Sequence, residues 1–265
     1  MRGLITFKGA CFQMTFLPII RRLRRIARRC GFDLLRYPHD KTLQAYLGTL
    51  LDQLDIRVVL DVGAHWGEFG SLLREVGYRK EIHSFEPVRQ NFERLADRCK
   101  KDASWHCHPW AVGAQDGQLT IRIAKDTVNS SALSPTPLAQ RLYGDYFSAV
   151  DVQEVESKTV ESIIKHLGLH PEMHGVFLKV DTQGLDWEVF KGAGPLLVDF
   201  RAIQAEFSVS AMYEGAPGYH QVLQWLEGQG FGLSAVFPVN RTDTGVLIEF
   251  DGVLIQESWS KGRSN

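Results

Sequence analysis

The chain has 265 residues, 44% of them hydrophobic, and a formal net charge of −1, which allows a sizeable core in one large α/β domain or two small ones. The near-neutral total hides a split: residues 1–30 hold eight basic residues and no acid, so the remainder carries 22 basic against 31 acidic residues. A body that acidic excludes nucleic acid as a partner, because that binding depends on clustered cations facing phosphates.

The first twenty residues are apolar apart from Lys8 and the basic start, and no small-residue cleavage site follows. They read as neither a membrane span nor a signal peptide. RRLRRIARRCGFDLL predicts a helix with Leu23, Ile26, Ala27 and Cys30 on one stripe. It is expected to be a solvated helix packed on the body; the alternative is weak peripheral contact of residues 1–30 with an anionic membrane. Met14 is a second candidate start beside Met1. The four cysteines, Cys11, Cys30, Cys99 and Cys107, include no CxxC pair and read as reduced thiols of a cytoplasmic protein.

From residue 41 the pattern becomes regular. KTLQAYLGTLLDQL has helical apolar spacing, RVVLDVG is a buried strand, and EFGSLLREVG is a helix stopped by Gly77. EIHSFEP, VRQNFERLADRCKK and SWHCHPWAVG continue as strand, helix and strand. GQLTIRIAK follows as an inserted strand, and residues 125–150 read as a long loop. TVESIIKHLG is a helix, GVFLKVD a strand, WEVFKGA a helix, RAIQAEF a strand and YHQVLQWLEGQG a helix. FGLSAVF and GVLIEFDGVLI close the chain as an antiparallel pair. The alternation predicts a mostly parallel, doubly wound sheet in one domain over residues 41–257, with a basic extension at 1–40 and a tail at 258–265.

In such a sheet the ligand lies across the carboxyl ends of the strands. The first strand ends in Asp61 and a loop with Gly63, Gly67 and Gly70; the second ends in Glu86, 25 residues beyond Asp61, a separation that suits an acid gripping ribose. A dinucleotide dehydrogenase shares that acid but uses GxGxxG to cradle pyrophosphate. Here the glycines are spaced differently, and Asp61 would repel pyrophosphate. A ligand cationic at this end fits better: S-adenosylmethionine, with an ammonium, a sulfonium, a ribose and an adenine. The alternatives are an NAD-dependent oxidoreductase on a similar sheet and a non-catalytic binding module.

LDVGAHWGEFG, SFEP, AVG with a following DG, NSSAL, LKVDTQGLDWEVFKGA, QAEFSVSAMYEG and GVLIEFDGVL stand in this order over most of residues 30–257. In these motifs the chain resembles the FkbM-type S-adenosylmethionine-dependent methyltransferases. The resemblance implies a Rossmann-like class I methyltransferase fold with an antiparallel C-terminal strand pair. It also implies O-methylation, commonly of a sugar hydroxyl in a glycan or natural product. The chain departs from the family at His65, where Asn is common, and at Asp186, where Glu is common.

On this reading Asp61 holds the amino acid end of the cofactor, Gly63, Ala64 and Gly67 allow close approach, and Glu86 grips the ribose. Ala111 and Val112 flank the adenine, which Asp116 also reaches unless its Asp-Gly is only a turn. Asp181, Glu206 and His65 are the candidate catalytic residues: Asp181 as base or orienting group, Glu206 in either role, His65 facing the acceptor. Trp110, Tyr213, Glu214 and Tyr219 are available to an acceptor such as a sugar ring. No metal is assigned. His106 and His108 share a strand face, but no second ligand pair is evident along the chain, which argues against zinc.

Overall fold

The computed structural model describes residues 21–32 and 42–260. The Met14 start, most of the basic extension and the last residues of the tail lie outside the described residues. The chain divides into two compact units, Met1–Thr42 and Leu43–Asn265. In the first, helix α1 spans residues 21–29, and Leu23 and Ile26 of its apolar stripe are exposed. Among the described residues no helix is long and apolar enough to cross a membrane.

The second unit begins α2 (Leu43–Gln53), β1 (Val58–Val62), α3 (Glu68–Glu75), β2 (Glu81–Phe85), α4 (Arg89–Cys99) and β3 (Trp105–His108). It continues β4 (Ala111–Val112), β5 (Gly117–Ala124), α5 (Pro137–Tyr143), β6 (Ala149–Lys158), α6 (Val160–Leu167), α7 (Pro171–His174) and β7 (Val176–Val180). It ends α8 (Asp186–Ala193), β8 (Ala202–Ser208), α9 (Tyr219–Gly228), β9 (Phe231–Arg241), β10 (Leu247–Gln256) and α10 (Glu257–Ser260). A seven-stranded sheet runs β3-β2-β1-β7-β8-β10-β9. β3, β2, β1, β7 and β8 pair in parallel, while β10 is antiparallel to both β8 and β9. This is the expected doubly wound sheet with its antiparallel C-terminal pair.

Strand alternation sends side chains to two cores. Val58, Leu60 and Val62 of β1 join α6, α8 and α9 on one face. Val59 joins α2, α3 and α4 on the other. β1 and β7 are therefore buried on both faces, which is why they read as near-continuous apolar runs. The lysine and aspartate in those runs, Lys179 and Asp61, are the exceptions that matter below.

Two expectations need correction. SWHCHPWAVG is not one strand: β3 ends before Pro109, and β4 belongs to a second sheet ordered β4-β6-β5. Residues 125–150 are not one long loop. They hold a 3₁₀ turn at Thr127–Asn129, helix α5, a second 3₁₀ turn at Gly144–Phe147 and the start of β6. β6 pairs antiparallel with β5 over eight positions of the insertion. Its interleaved acids and exposed Val150 and Val152 mask the period of two that identifies a half-buried strand.

Helix α8 meets the backbone at the end of β4 closely at one point. A Cβ on Gly192 of α8 would stand 2.0 Å from the carbonyl oxygen of Gly113. Gly192→Ala is therefore expected to destabilise the fold by about 1–3 kcal/mol, the usual cost of overpacking. Gly228→Ala at the end of α9 meets nothing within 4 Å and should be neutral or stabilising. Urea midpoints of the two variants check the opposite signs.

Candidate functional site

The carboxyl ends of β1, β2 and β7 line a cavity of about 640 Å³, within the roughly 300–1,000 Å³ typical of small-molecule sites. It lies where the strand order reverses, since β1 is flanked by β2 on one side and β7 on the other. Its wall includes Gly63, Ala64, His65, Glu86, Ala111, Val112 and Asp181, seven of the residues picked from the sequence.

Asp61 is not in that wall. Its side chain is fully buried; Oδ2 accepts from Ser84 Oγ at 2.8 Å, and Oδ1 lies 3.6 Å from Lys179 Nζ. Oδ1 has no hydrogen-bond partner among the described residues. The acids in the wall at this end are Asp181 and Asp251. Lys179, which sequence reasoning passed over, is the hub. Its ammonium donates to Gly63 O at 3.1 Å and to Asp181 Oδ2 at 3.4 Å. Burial alone would lower its pKa, but Asp181, Asp61 and Asp251 outweigh burial and hold it above the ordinary lysine value. Burial pushes the Asp61 carboxyl up, against the pull of Lys179 and Ser84. The signal was present in the sequence: a lysine inside GVFLKVD, a run otherwise apolar enough to be buried on both faces.

Each loop glycine is also required by packing, and Gly63 lines the cavity as well. A Cβ on Gly63, at φ 74°, would stand 1.8 Å from the carbonyl oxygen of Asp181. One on Gly67, at φ 85°, would meet Leu95 and Trp105 at 2.9 Å, and one on Gly70 would stand 2.2 Å from Trp105. Gly67 is absent from the cavity wall. The Trp105 indole donates to Ser84 Oγ at 2.9 Å, so the two outer glycines make room for the ring that steadies the partner of Asp61.

Glu86 is buried and accepts from the backbone N–H of His65 and of Val88, each at 2.8 Å. Burial raises its pKa to about 7, against those hydrogen bonds. Oε1 also accepts from Asn91 Nδ2 at 3.5 Å, while Oε2 keeps a further lone pair, so a ribose hydroxyl has an acceptor there. His65 is a non-glycine residue at φ 49°; its Nε2 lies 3.0 Å from Thr127 Oγ1 and its Nδ1 3.5 Å from Glu68. Burial holds its imidazole below the ordinary value, hence neutral. Through Thr127 it fastens the insertion beside the cavity. Asp116 is elsewhere: its carboxylate accepts from Thr159 N at 2.6 Å and Ser162 Oγ at 2.6 Å, at the start of α6, and it is not in the cavity wall. Both oxygens being engaged there, the structure does not bring Asp116 to the adenine end. Asp186 accepts from Thr182 N at 2.9 Å and closes the turn after β7.

Glu206 lines a second cavity of about 210 Å³, with Trp187, Tyr213, Tyr219, His220 and Glu249. Gln183 stands in the walls of both cavities. Its Nε2 donates to Asp181 Oδ1 at 2.8 Å and reaches Glu206 Oε2 at 3.5 Å, while its Oε1 accepts from the Tyr213 hydroxyl at 2.8 Å. Burial, reinforced by the charges of Asp181, Glu249 and Asp251, holds Glu206 well above the ordinary carboxylate range. Trp110 is in the wall of the larger cavity; Glu214 is exposed and in neither wall.

The arrangement fits S-adenosylmethionine. Val112, Leu119 and Ile121 give the cavity an apolar end, Glu86 an acceptor in the middle, and Asp181 and Asp251 a negative end for an ammonium. The buried Gln204 Oε1 in the same wall has no protein partner among the described residues. Removing Lys179 should leave buried acids uncompensated, so Lys179→Met is expected to lower stability by about 3–5 kcal/mol. Adding Asp61→Asn to that variant should restore part of the loss. A urea double-mutant cycle measures both; an unchanged midpoint in Lys179→Met would remove its role as neutralising hub.

A family model described as the Methyltransferase FkbM domain matches residues 61–233. No curated protein matches the chain. Among solved structures, TrmK of M. capricolum in complex with S-adenosyl-homocysteine is 6% identical at a TM-score of 0.44, covering 78% of this chain and 68% of that one. Magnesium protoporphyrin IX methyltransferase (ChlM) of Synechocystis PCC 6803 with bound SAM is 10% identical at a TM-score of 0.40, covering 97% and 100%. Precorrin-6y C5,15-methyltransferase of Geobacter metallireducens GS-15 is 12% identical at 0.39, covering 84% and 93%. The family model spans more than half of the chain and decides the matter without them: the chain belongs to the FkbM methyltransferase family, and its cofactor is S-adenosyl-L-methionine.

Proposed function

We propose that the chain is an O-methyltransferase acting on a sugar hydroxyl of a glycan or natural product. The observation that carries this reading is the position of Gln183 between a cofactor-sized cavity and a smaller one lined by aromatic rings and acids. Aromatic faces with hydrogen-bonding acids suit a sugar ring, and the acidic charge of the body speaks against a nucleic-acid acceptor. The domain is taken as residues 41–257, with 1–40 a basic extension making at most weak membrane contact and 258–265 a tail. The free Cys99 and Cys107 support a cytoplasmic location.

Bound S-adenosylmethionine supplies an electrophilic methyl group on a sulfonium. The protein has to align the acceptor oxygen with it and take up the hydroxyl proton. Asp181 is the proposed base: it lines the cofactor cavity, and Gln183 and Lys179 hold its two oxygens. Glu206, whose surroundings favour its neutral form, is the proposed group that orients the acceptor. His65 is proposed to act by holding the insertion in place through Thr127. Asp61 contributes by holding Lys179, and Glu86 by accepting from the ribose.

Transfer of labelled methyl from S-adenosylmethionine to a panel of glycan and natural-product hydroxyls tests the reading; label going only to nitrogen or to nucleic acid would sink it. Asp181→Asn should lower turnover by about 10²–10⁴-fold, the usual contribution of a general base, and by much more than it weakens S-adenosylhomocysteine binding. Cofactor affinity should also depend on pH in a definite direction. Glu86 accepts ribose hydroxyls best as a carboxylate, and its pKa of about 7 means that below pH 7 a proton must first leave. The dissociation constant of S-adenosylhomocysteine should therefore rise by up to about tenfold per pH unit between pH 7 and 5.5. Calorimetry of Glu86→Gln should give weaker binding with that pH dependence removed.

A further inference from the structure

Along β3 alone, His106 and His108 share a face without a second pair of ligands. In the sheet, β2 and β3 pair in parallel with His83 opposite His106, so Glu81 and His83 lie on the same face as His106 and His108. The ligand pair missing along the chain comes from the neighbouring strand. Glu81, His83 and His106 each present one donor atom, and these atoms all lie within 4.8 Å of one another. His106 Nε2 is already 2.8 Å from Glu81 Oε2. Zn–N and Zn–O bonds of roughly 2.0–2.2 Å in a tetrahedral site set donors close to 3.4 Å apart, so side-chain movement of about an ångström closes the set. His83 Nδ1 lies 3.2 Å from His108 Nε2. In the tautomer where His83 donates there, its Nε2 keeps the lone pair, and His108 takes the supporting position that metal-bound imidazoles usually have.

We propose that Glu81, His83 and His106 bind one divalent first-row transition ion at the β2–β3 edge, with Zn2+ as the reference ion. Two imidazoles and one carboxylate suit zinc, cobalt or nickel and leave a position for water; the hard Mg2+, which prefers oxygen donors, does not suit them. The three residues line neither cavity described above. The ion joins β2 to the edge strand, and the rings stacked beyond it continue inward. His83 stacks on His108 at 5.4 Å, and His108 stacks on Phe85 at 4.9 Å and Trp110 at 5.0 Å. Phe85 and Trp110 are both in the wall of the cofactor cavity. The ion therefore braces the wall that faces the adenine.

The test uses full-length protein without a histidine tag, stripped with a chelator and dialysed against Zn2+. One equivalent retained per chain is expected, together with a rise of several degrees in the unfolding midpoint. Glu81→Gln and His106→Asn remove ligands that are each 46% exposed, so both variants should fold, and each should weaken Zn2+ binding at least tenfold. An excess of Mg2+ should leave the bound Zn2+ in place. No stoichiometric uptake, or uptake unchanged in both variants, overturns the proposal, the second outcome by putting the ion elsewhere, such as at His170 and His174. Displacement by Mg2+ overturns it as well.

Discussion

The site is organised around one buried cation. Lys179 stands in the middle of a strand covered on both faces, where an unpaired ammonium could not remain charged. Asp61 at the end of β1, Asp181 at the end of β7 and Asp251 on β10 supply the compensating charge. The same ammonium donates to the carbonyl oxygen of Gly63, so the cofactor loop, β1 and β7 meet at one atom. The carboxylate at the mouth of the glycine-rich loop is the counter-charge of that lysine. Asp61 lies behind the cavity and balances the lysine that positions Asp181, which does line it.

The loop glycines follow from the same constraint. Asp181 N donates to Val62 O, which draws the end of β7 against the start of the loop until Gly63 has no room for a side chain. Trp105 fills the space beneath Gly67 and Gly70 and supports Ser84, which in turn holds Asp61. A sequence pattern that resembles a phosphate cradle is here a set of close contacts around a buried charge. No anion is needed to explain it.

The insertion and the second cavity give the fold its individual character. β5 and β6 form a separate small sheet, and the segment between them carries Thr127 to His65. Tyr213, on the loop after β8, reaches Gln183 from the other side. Ser131 Oγ of the insertion donates to Gln183 O at 2.7 Å, so two loops remote in sequence converge on the turn after β7. That convergence sets Gln183 between the cofactor cavity and the aromatic one.

The sequence by itself determined the sheet class, most strands and helices, and the strand-end acids, because a parallel strand buried on both faces must be apolar and any acid in it stands out. Asp61, Glu86 and Asp181 were legible for that reason, and the ordered motifs named the family. β6 was not legible, because acids are interleaved along it and Val150 and Val152 are exposed. Nor was the role of Lys179, since a charge inside a strand acquires meaning only from groups on other strands. Which way a strand-end carboxylate points was likewise invisible: the pairing of β1 with both β2 and β7 turns Asp61 inward to Ser84 and Lys179. The alignment of Glu81, His83 and His106 also exists only across the sheet, where parallel register brings residues more than twenty positions apart onto one face.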